Sequence, residues 1–167
     1  VRGDAIPWGN LSDYQGILLS PGPGLPSEAC GQMELIQAAA ATHSILGVCL
    51  GHQALAEFFG GRLRRIEHPF HGHDSRIRLT EPDEPFWKGV PNDAVVGRYH
   101  SWVVEDTDLP DCLIPTAWSD DDGILMAMRH KLLPHYGVQF HPESIISDCG
   151  ERLIRNWLDI ATQIRKT

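Results

Sequence analysis

Hydrophobic positions along the chain fall into short runs of four or five residues separated by glycine- and proline-rich breaks, and into three longer stretches with helical spacing. The run Gly16-Ile17-Leu18-Leu19-Ser20 predicts a short strand. It ends in Pro21-Gly22-Pro23-Gly24-Leu25-Pro26, a loop whose glycines permit close approach of the backbone to a ligand. Residues 27–42 predict a helix, with Ser27 as N-cap, Glu28 in the first turn and a run of alanines from Ala38 to Ala41. Residues 45–48 return as a strand. Two strands joined through a helix lie parallel and end at one edge of their sheet, which is where ligands bind in such folds.

Residues 50–59 predict the next helix, stopped by Gly60-Gly61. From 62 to 129 the pattern changes to short alternating stretches such as Arg76-Ile77-Arg78-Leu79, Trp102-Val103-Val104 and Thr116-Ala117-Trp118, with Asp122-Gly123 as a hairpin turn. Residues 136–140 form a further strand that runs into His141-Pro142-Glu143-Ser144. A final helix over 148–164 places Leu153, Ile154, Trp157, Leu158, Ala161 and Ile164 at helical spacing, a stripe expected to pack on the core. The expected fold class is α/β: a doubly wound, mostly parallel sheet with helices on both faces and a small antiparallel extension. No linker or repeat divides the chain, so 1–167 is read as one domain.

The junction at 45–53, Ile-Leu-Gly-Val-Cys-Leu-Gly-His-Gln, adds chemistry to this pattern. A strand that ends in a single Cys49, with glycine two residues to either side and a helix following at once, is the G-x-nucleophile-x-G arrangement of a strand-to-helix elbow. A buried, inert cysteine is the alternative for an isolated thiol. The flanking glycines favour the nucleophile. At a helix N-terminus the free N–H groups and the dipole are expected to favour the thiolate. A thiol that attacks a carbonyl needs a base and donors for the developing oxyanion. His141 stands at a strand end as Cys49 does, with Glu143 two residues on to orient its ring, in the manner of a Cys, His, Glu triad. A capping histidine and a solvated carboxylate are the alternatives. Backbone N–H groups of Leu50 and of the Gly22 to Gly24 loop are the expected oxyanion donors.

Composition narrows the function. At 42% hydrophobic and 22% charged, 167 residues make an ordinary globular domain, and no apolar run is long enough for a membrane helix. With no signal-peptide pattern either, a cytoplasmic location is expected. A net charge of −8 argues against a nucleic-acid partner. Cys30, Cys49, Cys112 and Cys149 are scattered without a CxxC pair, so reduced thiols are expected rather than a zinc ribbon or disulfide framework.

GVCLGHQ, the SPGPGLP loop, RYHSW at 98–102 and GVQFHPES at 137–144 together resemble the class I glutamine amidotransferase family, closest to the glutaminase subunits of anthranilate synthase and aminodeoxychorismate synthase. The resemblance spans nearly the whole chain. It implies a flavodoxin-like fold, hydrolysis of L-glutamine through a Cys49 thioester, and delivery of ammonia to a chorismate-binding synthase. It implies no cofactor. By motif, His141 is the base, Glu143 its partner, and Gly22, Pro23, Gly24, Leu50, Gln53, Ser101 and Trp102 form the oxyanion and substrate contacts. Gln53 is expected to hold the amino-acid end through its amide, and Ser101 and Trp102 to act through backbone groups. Tyr99 and His100 stay open between packing and site support. Another cysteine hydrolase of this fold, such as a γ-glutamyl peptidase, and an inactive regulatory module are the competing readings.

Three departures stand out. Trp102 occupies a position more often leucine in the family, and His73 replaces the lysine of an HGK-like turn at 71–73. His68, His71 and His73 invite a zinc reading, but no cysteine or carboxylate lies at a recognisable spacing, and no metal site is assigned. The family's opening strand, DNYDSF-like loop and helix are absent, so a strand and helix are expected ahead of Val1.

Overall fold

The computed structural model describes residues 1–164, the side chain of Ile164 excepted. After 3-10 segments at Gly3–Ala5 and, kinked at Asn10, Trp8–Asp13, the regular elements are β1 (Gly16–Leu19), α1 (Gln32–Ala39), β2 (Ser44–Val48), α2 (Leu50–Phe58) and β3 (Leu63–Arg65). They continue with β4 (His73–Leu79), β5 (Val95–Arg98), β6 (Trp102–Val104), β7 (Leu113–Ser119), β8 (Leu125–His130), β9 (His135–Val138) and α3 (Gly150–Ile164). Seven strands form one sheet in the order β1-β2-β9-β8-β7-β4-β5, and β3 pairs with β6 in a separate ribbon.

β2 is buried along its whole length because helices cover both faces of the sheet there. Alternate side chains serve the two sides. Ile45 packs with Ile36 and Ala39 of α1 and Leu55 of α2, while Leu46 and Val48 pack with Leu153, Trp157 and Ala161 of α3. The α3 side is also pinned by a polar link: Trp157 Nε1 donates to Ser44 Oγ at 3.0 Å, and Ser44 Oγ donates to Pro134 O at 2.7 Å.

β1, β2 and β9 are parallel as expected, with Leu19 beside Gly47 and Val48 beside Val138, so all three end at one edge. The antiparallel part is larger than the small extension expected: β9-β8, β8-β7, β7-β4 and β4-β5 are all antiparallel. Short connections, such as the turn through Gly123 at φ 66°, can only join antiparallel neighbours. β1 lies at the sheet edge, and Leu18 on it is exposed.

Two helices differ from the sequence expectation. Ser27 does not cap α1. Pro26 instead opens a 3-10 turn closed by Glu28, whose carboxylate accepts from Leu25 N at 2.9 Å, and the helix starts after Gly31 in a left-handed conformation. On α3, Leu153, Trp157 and Ala161 are buried and Ile154 is half-buried, but Leu158 is 49% exposed. At about 100° per residue Leu158 stands about 140° around the helix from Leu153, outside the arc that faces the sheet. The side chain of Ile164, assigned to the same stripe, lies outside the described residues. Among those residues no helix is long and apolar enough to cross a membrane.

Candidate active site

The elbow forms because α2 is pressed onto the ends of β1 and β2. A Cβ on Gly47 would lie 2.4 Å from the backbone of Gly51, and one on Gly51 would lie 2.4 Å from Leu19 O, so glycine is required on both sides of the cysteine. Cys49 itself has φ 50° and ψ −99°, the one non-glycine residue at positive φ among those described. Such a conformation costs about 1–3 kcal/mol and persists where surrounding structure holds it. Here Cys49 N donates to Val138 O at 2.8 Å, and Gln53 N donates to Cys49 O at 3.1 Å.

Cys49 opens into a cavity of about 330 Å³ lined by Gly22, Pro23, Gly24, Gln53, Arg65, Tyr99, His100, Ser101 and Trp102. The topology therefore gathers the glycine loop and the elbow, as the parallel strand order led one to expect, and the RYHSW segment, brought in by the family resemblance, lines the same cavity. Leu50 is buried in the first turn of α2, its side chain against Gly22. Gln53 is not an exposed helix residue. It is buried, and its Nε2 donates to Trp102 O at 2.8 Å and to Gln139 Oε1 at 3.2 Å, which leaves its own Oε1 to meet a ligand. The carbonyls of Ser101 and Trp102 are taken by Ile66 N and Gln53 Nε2. Backbone N–H groups are what this segment retains for a ligand.

His141 Nδ1 and Glu143 Oε1 are 2.7 Å apart. They lie in an adjoining surface depression with Ser144 and Ile145, and Tyr99 lines both this depression and the Cys49 cavity. The Tyr99 ring meets His141 edge-on at 4.9 Å, and its hydroxyl pairs with Ser144 Oγ at 3.1 Å. Tyr99 is thereby assigned to the site. The HPES turn is anchored on β5: His141 N donates to Gly97 O at 3.0 Å, and Ser147 Oγ donates to His141 O at 2.6 Å while accepting from Gly97 N at 3.0 Å. With Nδ1 engaged, His141 Nε2 is buried and has no partner among the described residues.

The expectation of a lowered Cys49 pKa fails. Burial pushes the thiol up to about 11; the Leu50 N–H pulls it down, nearby Glu143 pushes it up, and the Gln139 amide pulls it down. Loss of water around a charge outweighs one turn of helix dipole. The resting thiol is neutral.

Beneath the cavity sits a buried polar cluster. Arg98, fully buried, pairs with Asp122 at 2.9 Å, donates to Ser75, Ser119 and His100, and stacks over Phe70 at 3.7 Å. His100 is pushed down to about 3 by burial and then by Arg98, and His52 down to about 4 by burial. Both are neutral. His100 thus supports the cavity wall from the core. His73 packs edge-on against Phe70, and among the described residues no group of three His, Cys, Asp or Glu side chains is placed to hold a metal.

The sequence matches the class-I glutamine amidotransferase family over residues 4–161. The chain belongs to that family. It is 47% identical over 148 residues to a Haemophilus influenzae protein provisionally named anthranilate synthase component II, covering 89% of this chain and 76% of that protein. It is 44% identical over 159 residues to aminodeoxychorismate synthase component 2 of Escherichia coli, covering 94% of this chain and 83% of the relative. A crystal structure from Thermoplasma acidophilum, provisionally described as a GMP synthase subunit, superposes with a TM-score of 0.85 at 27% identity over 99% of this chain and 81% of that one.

Two residues beside Cys49 escaped the sequence reading. Among the described residues, Arg65 is the one lysine or arginine that lines the Cys49 cavity, placed across from Trp102 by the β3–β6 pairing. Gln139 Nε2 lies 3.6 Å from Cys49 Sγ. Its signal was a polar residue inside an apolar strand end, two positions before His141.

Proposed function

We propose that this amidotransferase is the glutaminase component of a chorismate-using synthase, with Cys49 as nucleophile, His141 as base and Glu143 as the residue that orients His141. The observation that carries the reading is the strained Cys49 elbow opening into a cavity walled by the glycine loop, Gln53 and the RYHSW segment. Glutamine enters with its side-chain amide at Cys49, its ammonium at Gln53 Oε1 and its carboxylate at the N–H groups of Ser101 and Trp102. The Cys49 proton passes to His141 Nε2, the ring nitrogen left free by the Nδ1 contact with Glu143. Sulfur bonds to the amide carbon, and N–H groups of Leu50 and the Gly22 to Gly24 loop hold the oxyanion. The C–N bond then breaks, the leaving nitrogen takes the proton from His141, and ammonia departs. Water gives a proton to His141 and attacks the thioester, the C–S bond breaks, sulfur regains its proton, and glutamate leaves.

A neutral resting thiol fits a glutaminase component that idles alone. Burial holds the Cys49 thiol well above its usual range, so the proton must be taken by a base before sulfur can attack. Low glutaminase activity is therefore expected from the isolated chain, rising when a chorismate-binding partner is added. Replacing Cys49 by alanine should abolish glutamine-dependent synthesis in the complex and leave ammonia-dependent synthesis by the partner intact. Glutamine hydrolysis that survives Cys49→Ala would sink the reading, and faster turnover of γ-glutamyl peptides than of glutamine would replace it with a peptidase. Co-purification decides between an anthranilate and an aminodeoxychorismate synthase partner.

A further inference from the structure

Gln139 is fully buried, yet it lies beside the nucleophile because β2 and β9 run parallel with Val48 against Val138, so that the residues following each strand are neighbours. Its Nε2 is 3.6 Å from Cys49 Sγ and its Oε1 accepts from Gln53 Nε2 at 3.2 Å. Gln53 Nε2 in turn donates to Trp102 O at 2.8 Å. The direction of this relay has one consistent solution. A backbone carbonyl can only accept, so the Gln53 NH₂ must face Trp102. Its second N–H then requires an acceptor, so Gln139 turns its oxygen toward Gln53 and its NH₂ toward sulfur.

We propose that Gln139 is the positioning residue of the nucleophile: it holds Cys49 Sγ with a donor whose orientation is set, through Gln53, by the substrate-binding backbone at Trp102. The proposal rests on the glutaminase reading and deepens it. A donor at sulfur leaves the thiol proton free to point toward a base, and it stabilises the thiolate once that proton has gone. It also links the residue that meets the substrate's amino end to the attacking atom. A chain whose Trp102 segment is displaced loses the polarity of the relay, and with it the donor at sulfur.

The test reads the thiol directly. Cys49 is alkylated with iodoacetamide at pH 8.5 and its peptide quantified apart from those of Cys30, Cys112 and Cys149. Gln139→Met removes the donor at similar volume, and Gln139→Glu keeps an acceptor for Gln53 but turns a carboxylate oxygen toward sulfur. Labelling should slow by about ten- to a hundredfold in Gln139→Met, the loss expected for one hydrogen bond to a charged group, and further in Gln139→Glu. In the partner complex, kcat should fall while KM for glutamine stays nearly constant. If Gln139 merely fills space, both variants loosen the packing, expose the thiol and label faster than wild type. Unchanged or faster labelling overturns the proposal. Circular dichroism and thermal melting establish that each variant is folded; if neither is, Gln53→Met supplies the readout, since loss of the anchor should slow labelling in the same direction, and an unchanged rate there overturns the proposal equally. Labelling needs no glutamine. A complex whose glutamine hydrolysis survives Cys49→Ala would therefore remove the glutaminase reading while the labelling order still decides the role of Gln139.

Discussion

At Cys49 two effects of opposite sign meet: the Leu50 N–H at the start of α2 favours the thiolate, and burial opposes it. The local signal was readable from sequence, and the opposing one was not, because burial of Cys49 depends on residues about 90 positions away, Gln139 among them. The same asymmetry governs the histidines. His52, His100 and His135 are pushed down to about 4, 3 and 4, each chiefly by burial. A histidine in the unfolded chain titrates near about 6.5, so below that pH the unfolded state takes up protons that the folded state refuses. Stability should therefore fall as pH drops from about 6.5 toward the folded values, by up to about 1.4 kcal/mol per pH unit for each ring. Urea denaturation at pH 7 and pH 5 checks this. His135→Gln, which keeps a donor for Ala40 O, should flatten the dependence; an unchanged slope would show that His135 is not among the groups responsible.

α3 separates pattern from packing. Its six apolar positions form a stripe by spacing alone, but among the described side chains Leu153, Trp157 and Ala161 are buried, Ile154 is half-buried and Leu158 is exposed. Trp157→Ala should cost about 3–5 kcal/mol, from the cavity it leaves and from the loss of the Ser44 contact. Leu158→Lys should change stability by about 0.5 kcal/mol or less, as at other exposed positions. Urea midpoints of the two variants make the comparison, and equal losses would refute the assigned face. At α1 the difference has another cause. Ser27 and Glu28 do have capping chemistry, but Glu28 uses it on the turn at Leu25, and the helix waits for Gly31.

Across the whole molecule, the buried Arg98–Asp122 pair ties β5, which leads into the RYHSW segment, to the β7–β8 hairpin. Asp122→Asn removes the countercharge of an arginine with no access to water, and it should cost about 2–4 kcal/mol, since a buried charge left unpaired is penalised far more than an exposed one. The effect should reach the site. In the partner complex KM for glutamine should rise, because Tyr99, His100, Ser101 and Trp102 follow Arg98 directly. Denaturation together with steady-state kinetics tests both halves, and a stability loss with unaltered KM would confine the pair to a scaffold role.

Sequence alone determined the strand-loop-helix-strand unit, the elbow at Cys49, the meeting of the glycine loop with that elbow, and the His141-Glu143 turn. Each of these is written in neighbouring residues, through periodicity, glycine placement or a two-residue spacing, and local physics suffices to read them. Tertiary structure decided the rest: the balance of parallel and antiparallel pairing, the exposed side of α3, the neutral thiol, and the presence of Gln139 and Arg65 at the site. These depend on which strands become neighbours and how much water is left between them. Neither quantity has a one-dimensional signature, because Cys49 and Gln139 are adjacent only once β2 has paired with β9.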